Sequence, residues 1–385
     1  MPSVADLEVS AFVGSAGLTA FDAFQTRLPE WFDAARRPMP WRETDLEGKR
    51  DPYRVWISEV MLQQTRVETA TPYFLRFIDA FPTIEDVAQA PLDDVLKLWE
   101  GLGYYSRARN FHRAAQTVTS EHDGVVPSDR DAFRALPGVG PYTEAAVLSL
   151  AYGVPLAVLD GNVIRVLSRA FALEDDVRLG PTKKALQRLA DDLLDTEQPG
   201  RWNESVMELG ATICTPKSPA CGHCPLAEIC QARALGTPEA FPVKSKRAPV
   251  PHYTIAVGVI EDDDGRVLIQ RRPEDAMLGG LWEFPGGKQE AGEPLEDACA
   301  RELREELSIE VAVGPPVARV EHAYSHFRIT MHAFRCRILE GEPTTETGQP
   351  WRWVTLDELE DYAFPRANRH VIDALRDRVR APRLF

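Results

Sequence analysis

Apolar residues recur at three- and four-residue spacing through VWISEVMLQQTRVETATPYFLRFI, Val55 to Ile78, the pattern of a helix that buries one face. DDVLKLWE and DRDAFRAL each open on aspartate in capping position. TEAAVLSLAYG ends on Gly153, a residue suited to a helix stop. Helical periods of this kind, separated by short Gly/Pro breaks, fill residues 20–235 with little two-residue alternation. The texture changes after GTPEAFPVKSKRAPVPH, Gly236 to His252, whose four prolines and several basic residues predict a linker. Beyond it, YTIAVGVI and RVLIQRR flank the turn DDDG as a predicted hairpin. HFRITMHAFRCRI alternates as a strand, and RHVIDALRDRV is helical. The expected organisation is a flexible tail (1–19), a helical domain (20–235), a linker (236–252) and an α+β domain (253–385). No internal repeat or low-complexity tract interrupts it.

Totals narrow the picture only a little. The 385 residues are 27% charged and 44% hydrophobic, ordinary for two or three globular domains. No run of about 18 apolar residues exists, so no membrane-spanning helix is expected. The opening stretch, MPSVADLEVSAFVGSAGLTAF, carries acids where a secretory signal would carry lysine or arginine. The net charge of −15 argues against a non-specific nucleic-acid coat, which needs Lys and Arg. It is compatible with a local basic groove on an acidic body.

Cysteine usage adds chemistry. Cys214, Cys221, Cys224 and Cys230 form C-x6-C-x2-C-x5-C, while Cys299 and Cys336 stand far away. Four thiolates this close can hold one tetrahedral ion or one cubane cluster, and spacing alone does not choose between Zn²⁺ and [4Fe–4S]. Clustering of this kind points to a metal site in a reducing, cytoplasmic compartment rather than to a disulfide framework.

LPGVGPYTEAAV, Leu136 to Val147, places Gly138 and Gly140 two apart just before a helical run. Such a turn exposes backbone N–H groups that can hold a phosphate; alone, it could equally be a Gly-rich turn between helices. About 20 residues on, VLDGNV brackets Asp160 with apolar residues and a glycine. Hairpin, aspartate and four-cysteine loop together resemble the endonuclease-III-like helix-hairpin-helix DNA glycosylases. PWR (Pro40 to Arg42), DPYRVWISEVMLQQTRV (Asp51 to Val67) and LWEGLGYYSRARNFHRAA (Leu98 to Ala115) resemble, within that superfamily, the MutY-type adenine glycosylases, over nearly all of residues 30–235. Lyase-type members carry lysine in the hairpin where this chain has Tyr142, so Schiff-base chemistry at that position is excluded.

The resemblance implies removal of adenine mispaired with 8-oxoguanine, or with guanine, from double-stranded DNA by a monomeric enzyme. Cleaving the N-glycosidic bond requires a proton for the leaving base and a negative group for the growing charge on the sugar. Two carboxyls of unequal pKa meet that need in glycosidases. Glu59, among apolar neighbours, is the expected general acid, because burial keeps a carboxyl protonated. Asp160 is expected to stay ionised and stabilise the oxocarbenium ion. By family matching, Tyr142 and Asn162 support Asp160, and Arg37, Trp41 and Glu204 line the adenine pocket. Gln64, Leu102 and Tyr104 match the wedge positions that fill the gap left by the extruded base.

The last third reads differently. Gly287, Glu293, Arg301, Glu302, Glu305 and Glu306 fit the Nudix pattern G-x5-E-x7-R-E-U-x-E-E-x-G-U, within WEFPGGKQEAGEPLEDACARELREEL. The domain resembles the Nudix-like lesion-sensing domain of the same family. Glu302, Glu305 and Glu306 would hold Mg²⁺ if the box still binds metal. Ser308 stands where the pattern has its last glycine, a departure that bears on metal-site geometry. HAYSHF matches the sensing loop, so Tyr324, Ser325 and His326 are the expected readers of 8-oxoguanine. Asn368, in FPRAN, matches a base-reading position, which keeps hydrolysis of an oxidised nucleoside triphosphate open as an additional activity. The fold expected is a mainly α helix-hairpin-helix glycosylase domain with a four-cysteine iron–sulfur loop, joined to an α+β Nudix-like domain.

Overall fold

The computed structural model describes residues 18–245, 249–274, 276–324, 326–344 and 348–380. The expected tail up to residue 17, linker residues 246–248 and Ser325 lie outside them. The chain divides into two units, Met1–Ala88 with Arg113–Arg247, and Gln89–His112 with Ala248–Phe385.

The first unit is helical. Asp51 caps the helix Pro52–Leu62 by accepting from the Tyr53 and Arg54 N–H groups, and Pro52 takes the first-turn place where no N–H is needed. Asp129 caps Arg130–Ala135 in the same way. The helix Pro141–Tyr152 starts from Gly140 and stops at Gly153, which is left-handed at φ 69°. Val163, Val166, Leu167 and Ala170 of the helix Gly161–Ala170 pack in one core with Trp202, Val206 and Leu209 of Pro199–Thr212. That packing is close. A Cβ on Gly210 would meet the Cβ of Asn162 at 2.5 Å, so the missing side chain lets the two helices meet beside Asp160.

The second unit is α+β. One sheet has the order β4-β1-β6-β5 and a second β3-β2-β7, with β1 His252–Ile260, β2 Val267–Arg271, β3 Trp282–Glu283, β4 Gly286–Lys288, β5 Glu310–Ala323, β6 Arg328–Glu340 and β7 Trp351–Val354. Strands β1 and β6 run parallel; the other pairs are antiparallel. The predicted β1–β2 hairpin forms only at its turn, where the Asp262 N–H donates to the Arg266 carbonyl at 3.0 Å. The two strands belong to different sheets and meet at one isolated bridge, Glu261 to Val267. Both carry runs of consecutive buried residues, so their pattern could not reveal which partner each would take. Ala298, Cys299, Leu303 and Leu307 of the helix Leu295–Leu307 pack onto Ala256, Ile260 and Phe334. Ala367, Val371, Ile372 and Leu375 of the helix Arg366–Arg380 pack into a second core with Val257, Ile269 and Met331.

Gln89–His112 contributes the helix Leu92–Trp99 to this second unit. Pro91 occupies its N-cap, and Asp93 and Asp94 sit in its first turn rather than in the expected capping place. Acids there complement the positive end of the helix dipole.

Candidate active site

A cleft of about 580 Å³ in the first unit is lined by Arg37, Trp41, Arg42, Glu59, Tyr142, Asp160, Asn162, Glu204 and Glu208, among others. Glu59 projects from the buried face of Pro52–Leu62 and is only 5% exposed. Its Oε2 accepts a 2.5 Å hydrogen bond from the Tyr142 hydroxyl. Burial pushes the Glu59 carboxyl up to about 7; the Tyr142 hydrogen bond opposes this, and the negative charges of Glu204 and Asp160 reinforce it.

Asp160 sits at the N-cap of Gly161–Ala170. One carboxyl oxygen accepts from the Asn162 and Val163 N–H groups at 2.8 and 2.7 Å, the other from Asn162 Nδ2 at 2.7 Å. Burial raises its pKa, and these three hydrogen bonds, with Arg165 behind them, work against the rise. Three donors and a helix N-terminus favour the carboxylate. The expected support of Asp160 therefore comes from Asn162. Tyr142 instead hydrogen bonds the other carboxyl, Glu59, because its helix packs directly on Pro52–Leu62.

The wall opposite is an array of ion pairs. Glu204 accepts from Arg42 Nε at 2.8 Å and from Arg50 Nη2 at 2.6 Å. Glu208, one helical turn on, accepts from Arg37 Nε at 2.6 Å and from Arg42 Nη2 at 3.0 Å. Arg42 thus bridges two buried carboxylates, and its carbonyl partner, Arg37 O, ties the array to the cleft rim. Trp41 is buried edge-on against Phe74, with ring centroids 5.2 Å apart. Sequence reasoning named Arg37, Trp41 and Glu204 but passed over Arg42, Arg50 and Glu208. The signal available was the i,i+4 pair Glu204 and Glu208, two acids on one face that require cations opposite them.

Behind Asp160, Arg165 Nη2 donates to Asn162 Oδ1 at 2.8 Å while its Nε donates to the Cys214 carbonyl at 2.7 Å. Cys214, Cys221, Cys224 and Cys230 line one small pocket together with Arg169. That guanidinium is buried and fastens the loop through the Thr215 and Pro216 carbonyls, with Nη1 3.4 Å from Cys214 Sγ. Four soft donors around one pocket, beside a buried cation, suit an anionic metal–thiolate centre.

Gly138, Gly140 and Gln64 share a shallow groove with Tyr142, Asp160 and Gly161. Gly138 has φ 78° and Gln64 φ 61°. In the second unit, Leu102 is buried and Tyr105 packs inside, whereas Tyr104 is partly exposed at φ 50°. Of the two residues expected to wedge on that loop, Tyr104 is the more exposed.

A second cavity, about 390 Å³, lies in the second unit and includes Glu283, Gly287, Glu306, Tyr324, Phe327 and Asn368 in its lining. Tyr324 stacks on Phe327 at 4.7 Å, and His326 is exposed. Asn368 Oδ1 accepts from the Phe284 N–H. Arg301 gathers the acidic box, donating to Glu293, Glu302 and Glu305. Glu306 accepts from Gln270 Nε2 at 2.6 Å and from the Gly286 N–H at 3.0 Å. A Cβ on Gly287 would collide with the Glu302 carboxylate, so a side chain there would displace that carboxylate. Ser308 adopts the left-handed stop, φ 56°, that the pattern usually assigns to glycine.

Comparison with known proteins agrees with this geometry. Residues 57–195 match the HhH-GPD superfamily of base excision DNA repair proteins, 214–230 the iron–sulfur binding domain of endonuclease III, and 256–374 the NUDIX domain. The middle match runs from the first to the last of the four clustered cysteines, so the chain carries an iron–sulfur cluster and these thiolates are its candidate ligands. Adenine DNA glycosylase of Rattus norvegicus is 35% identical over 91% of this chain and 77% of its own length. That of Homo sapiens is 33% identical over 91% and 73%. A thermostable thymine-DNA glycosylase of known structure covers 56% of this chain and 97% of its own, at 30% identity and a TM-score of 0.49. With the cleft, the cysteine loop and a relative aligned over 91% of this chain, the chain belongs to the adenine DNA glycosylases, hydrolases of base excision repair that act on DNA.

Proposed function

We propose that this glycosylase removes adenine placed opposite 8-oxoguanine, and opposite guanine, by monofunctional hydrolysis through Glu59 and Asp160. The observation that carries the reading is that both carboxyls line one cleft, and that three hydrogen bonds oppose the burial-driven rise in pKa at Asp160 while one opposes it at Glu59. Glu59 is buried, with a pKa pushed to about 7, so a proton is available for N7 of the departing adenine. Asp160 is held by three donors and faces the sugar's positive charge as it develops. Arg37, Trp41 and Glu204 line the base pocket, with Glu204 fixed by Arg42 and Arg50. Gln64, Tyr104 and, through packing, Leu102 act at the opened step, and the Gly138–Gly140 hairpin holds backbone phosphate. Tyr324, Ser325 and His326 read the opposite base. The enzyme acts as a cytoplasmic monomer on duplex DNA.

The test is single-turnover excision from duplexes carrying A opposite 8-oxoguanine, A opposite G, and A opposite T, with borohydride present in a parallel set. Preference for the first two without a trapped covalent adduct supports the reading. Equal action on A opposite T, or a trapped lyase adduct, overturns it.

The closed acidic box favours a second reading of the Nudix-like domain, hydrolysis of 8-oxo-dGTP with Mg²⁺ held through Glu302, Glu305 and Glu306. Glu306 supports it, because its carboxylate lines the same cavity as Asn368. Monophosphate release that disappears in a Glu305→Gln, Glu306→Gln variant would establish this activity. None, with adenine excision intact, would leave the box as a scaffold.

A further inference from the structure

Glu100 follows the last residue of the helix Leu92–Trp99 and directly precedes Gly101 and the Leu102–Tyr105 loop. A carboxylate at a helix C-terminus opposes the dipole. Here it is almost fully engaged. Oε1 accepts from Arg369 Nε at 2.6 Å and from the Phe364 N–H at 2.8 Å. Oε2 accepts from Arg369 Nη2 at 2.8 Å and from Lys97 Nζ at 2.9 Å. The Arg369–Glu100 pair is bidentate, and both side chains are 18% exposed. Arg369 also donates to the Tyr362 carbonyl, as does Lys97. Arg369 adjoins Asn368, which lines the cavity of the lesion-reading domain.

On the other side of the loop, Trp99 Nε1 and Arg107 Nη2 both donate to the Gly103 carbonyl, and the Gly101 N–H donates to the Tyr105 hydroxyl. Arg107 lies over the Tyr104 ring at 5.6 Å. The loop is therefore held at both ends, and Tyr104 sits at its crest with a positive φ that an L-residue adopts only under constraint.

We propose that Arg369 is a positioning residue for the glycosylase reaction. Through its fork on Glu100 it sets the Gly101–Tyr105 loop, so that the domain reading the opposite base also fixes the residue that wedges the duplex. This rests on the wedge reading of Tyr104. Bidentate geometry is what a loop anchor needs, because two parallel hydrogen bonds fix orientation as well as distance.

The test uses the full-length, cluster-loaded protein and a duplex with A opposite 8-oxoguanine. Kd and single-turnover excision rate are measured for Arg369→Ala, Arg369→Lys, Glu100→Gln, Tyr104→Ala and the Arg369→Ala, Tyr104→Ala double variant. The expectation is that Arg369→Ala and Glu100→Gln weaken binding about tenfold while the rate at saturating enzyme changes less than threefold. Arg369→Lys should recover part of the affinity. The double variant should bind no worse than Tyr104→Ala alone, since both act through one loop. Effects that multiply, or an Arg369→Ala protein with full affinity beside an impaired Tyr104→Ala, overturn the proposal. A Tyr104→Ala protein with unchanged affinity instead removes the wedge reading on which it rests. Glu100→Gln keeps the shape of the side chain, so it decides the matter if Arg369→Ala folds poorly.

Discussion

The Tyr142 hydroxyl lies 2.5 Å from Glu59 Oε2 and links two helices whose contributing residues are 83 positions apart in sequence. It donates to the carboxyl proposed as the general acid, and so holds that pKa lower than burial alone would set it. Tyr142→Phe removes the donor and lets the Glu59 pKa rise. The excision rate, which needs the protonated acid, should fall as pH rises through about 7 in the parent. The same descending limb should move to higher pH in the variant. Single-turnover pH profiles check this; a limb that stays in place or moves to lower pH would contradict the assignment.

Glu59→Gln retains the shape and loses the proton. Loss of a general acid costs about 10²–10⁴ in rate. Excision should fall by at least about 100-fold while affinity for the mispaired duplex stays within a few-fold of the parent, measured by gel shift beside glycosylase assays.

Arg42 bridges Glu204 and Glu208, both buried. Arg42→Ala leaves two carboxylates short of a cation in a low-dielectric wall, although Arg37 and Arg50 stay in place. Breaking a buried pair this way costs about 3 kcal/mol. Denaturant unfolding should register a loss of that order, and excision should fall as well because Glu204 loses one of its two anchors.

Arg165 touches the Cys214 carbonyl and Asn162 at once. Arg165→Gln keeps all four thiols, so the visible absorption of the cluster should persist. Hydrogen bonds to charged groups are worth about 1.5–3 kcal/mol, and excision should drop roughly tenfold or more. Bleached protein would mean that Arg165 serves the loop rather than Asp160.

Ser308 holds a left-handed conformation at the end of Leu295–Leu307. Ser308→Gly relieves it, partly offset by the greater freedom of glycine when unfolded. A net gain of about 0.5 kcal/mol is expected in thermal unfolding, with adenine excision unchanged.

The helical half was readable because its chemistry is written in short motifs. Asp160 followed by glycine reads as a helix cap, and it caps. Glu59 stands out as an acid among apolar neighbours. What escaped were relationships across distance. Arg42 meets Glu208 from 166 positions away, and no local pattern announces such a pair. The β1 and β2 runs are apolar on consecutive positions, so alternation could not assign them to separate sheets. Leu102 matches a wedge position by its motif, and its burial here comes from neighbours that the motif does not contain. The placement of Gln89–His112 with the second unit left no signal in the composition at all.

That placement has a consequence for how the chain matures on the ribosome. Glu100 and Arg369 are 269 residues apart, and synthesis proceeds at about 5–20 residues per second, so Glu100 waits on the order of 15–50 s for its partner. The first unit can close over its own helices in that interval, because both its segments are complete by Arg247. The fork that Arg369 makes on Glu100 cannot form until the last helix has been made, although the contacts within the loop can. Nascent or truncated chains ending before that helix would then carry an assembled excision cleft with a loop that lacks this fork, and full grip on DNA would arrive only with the completed polypeptide.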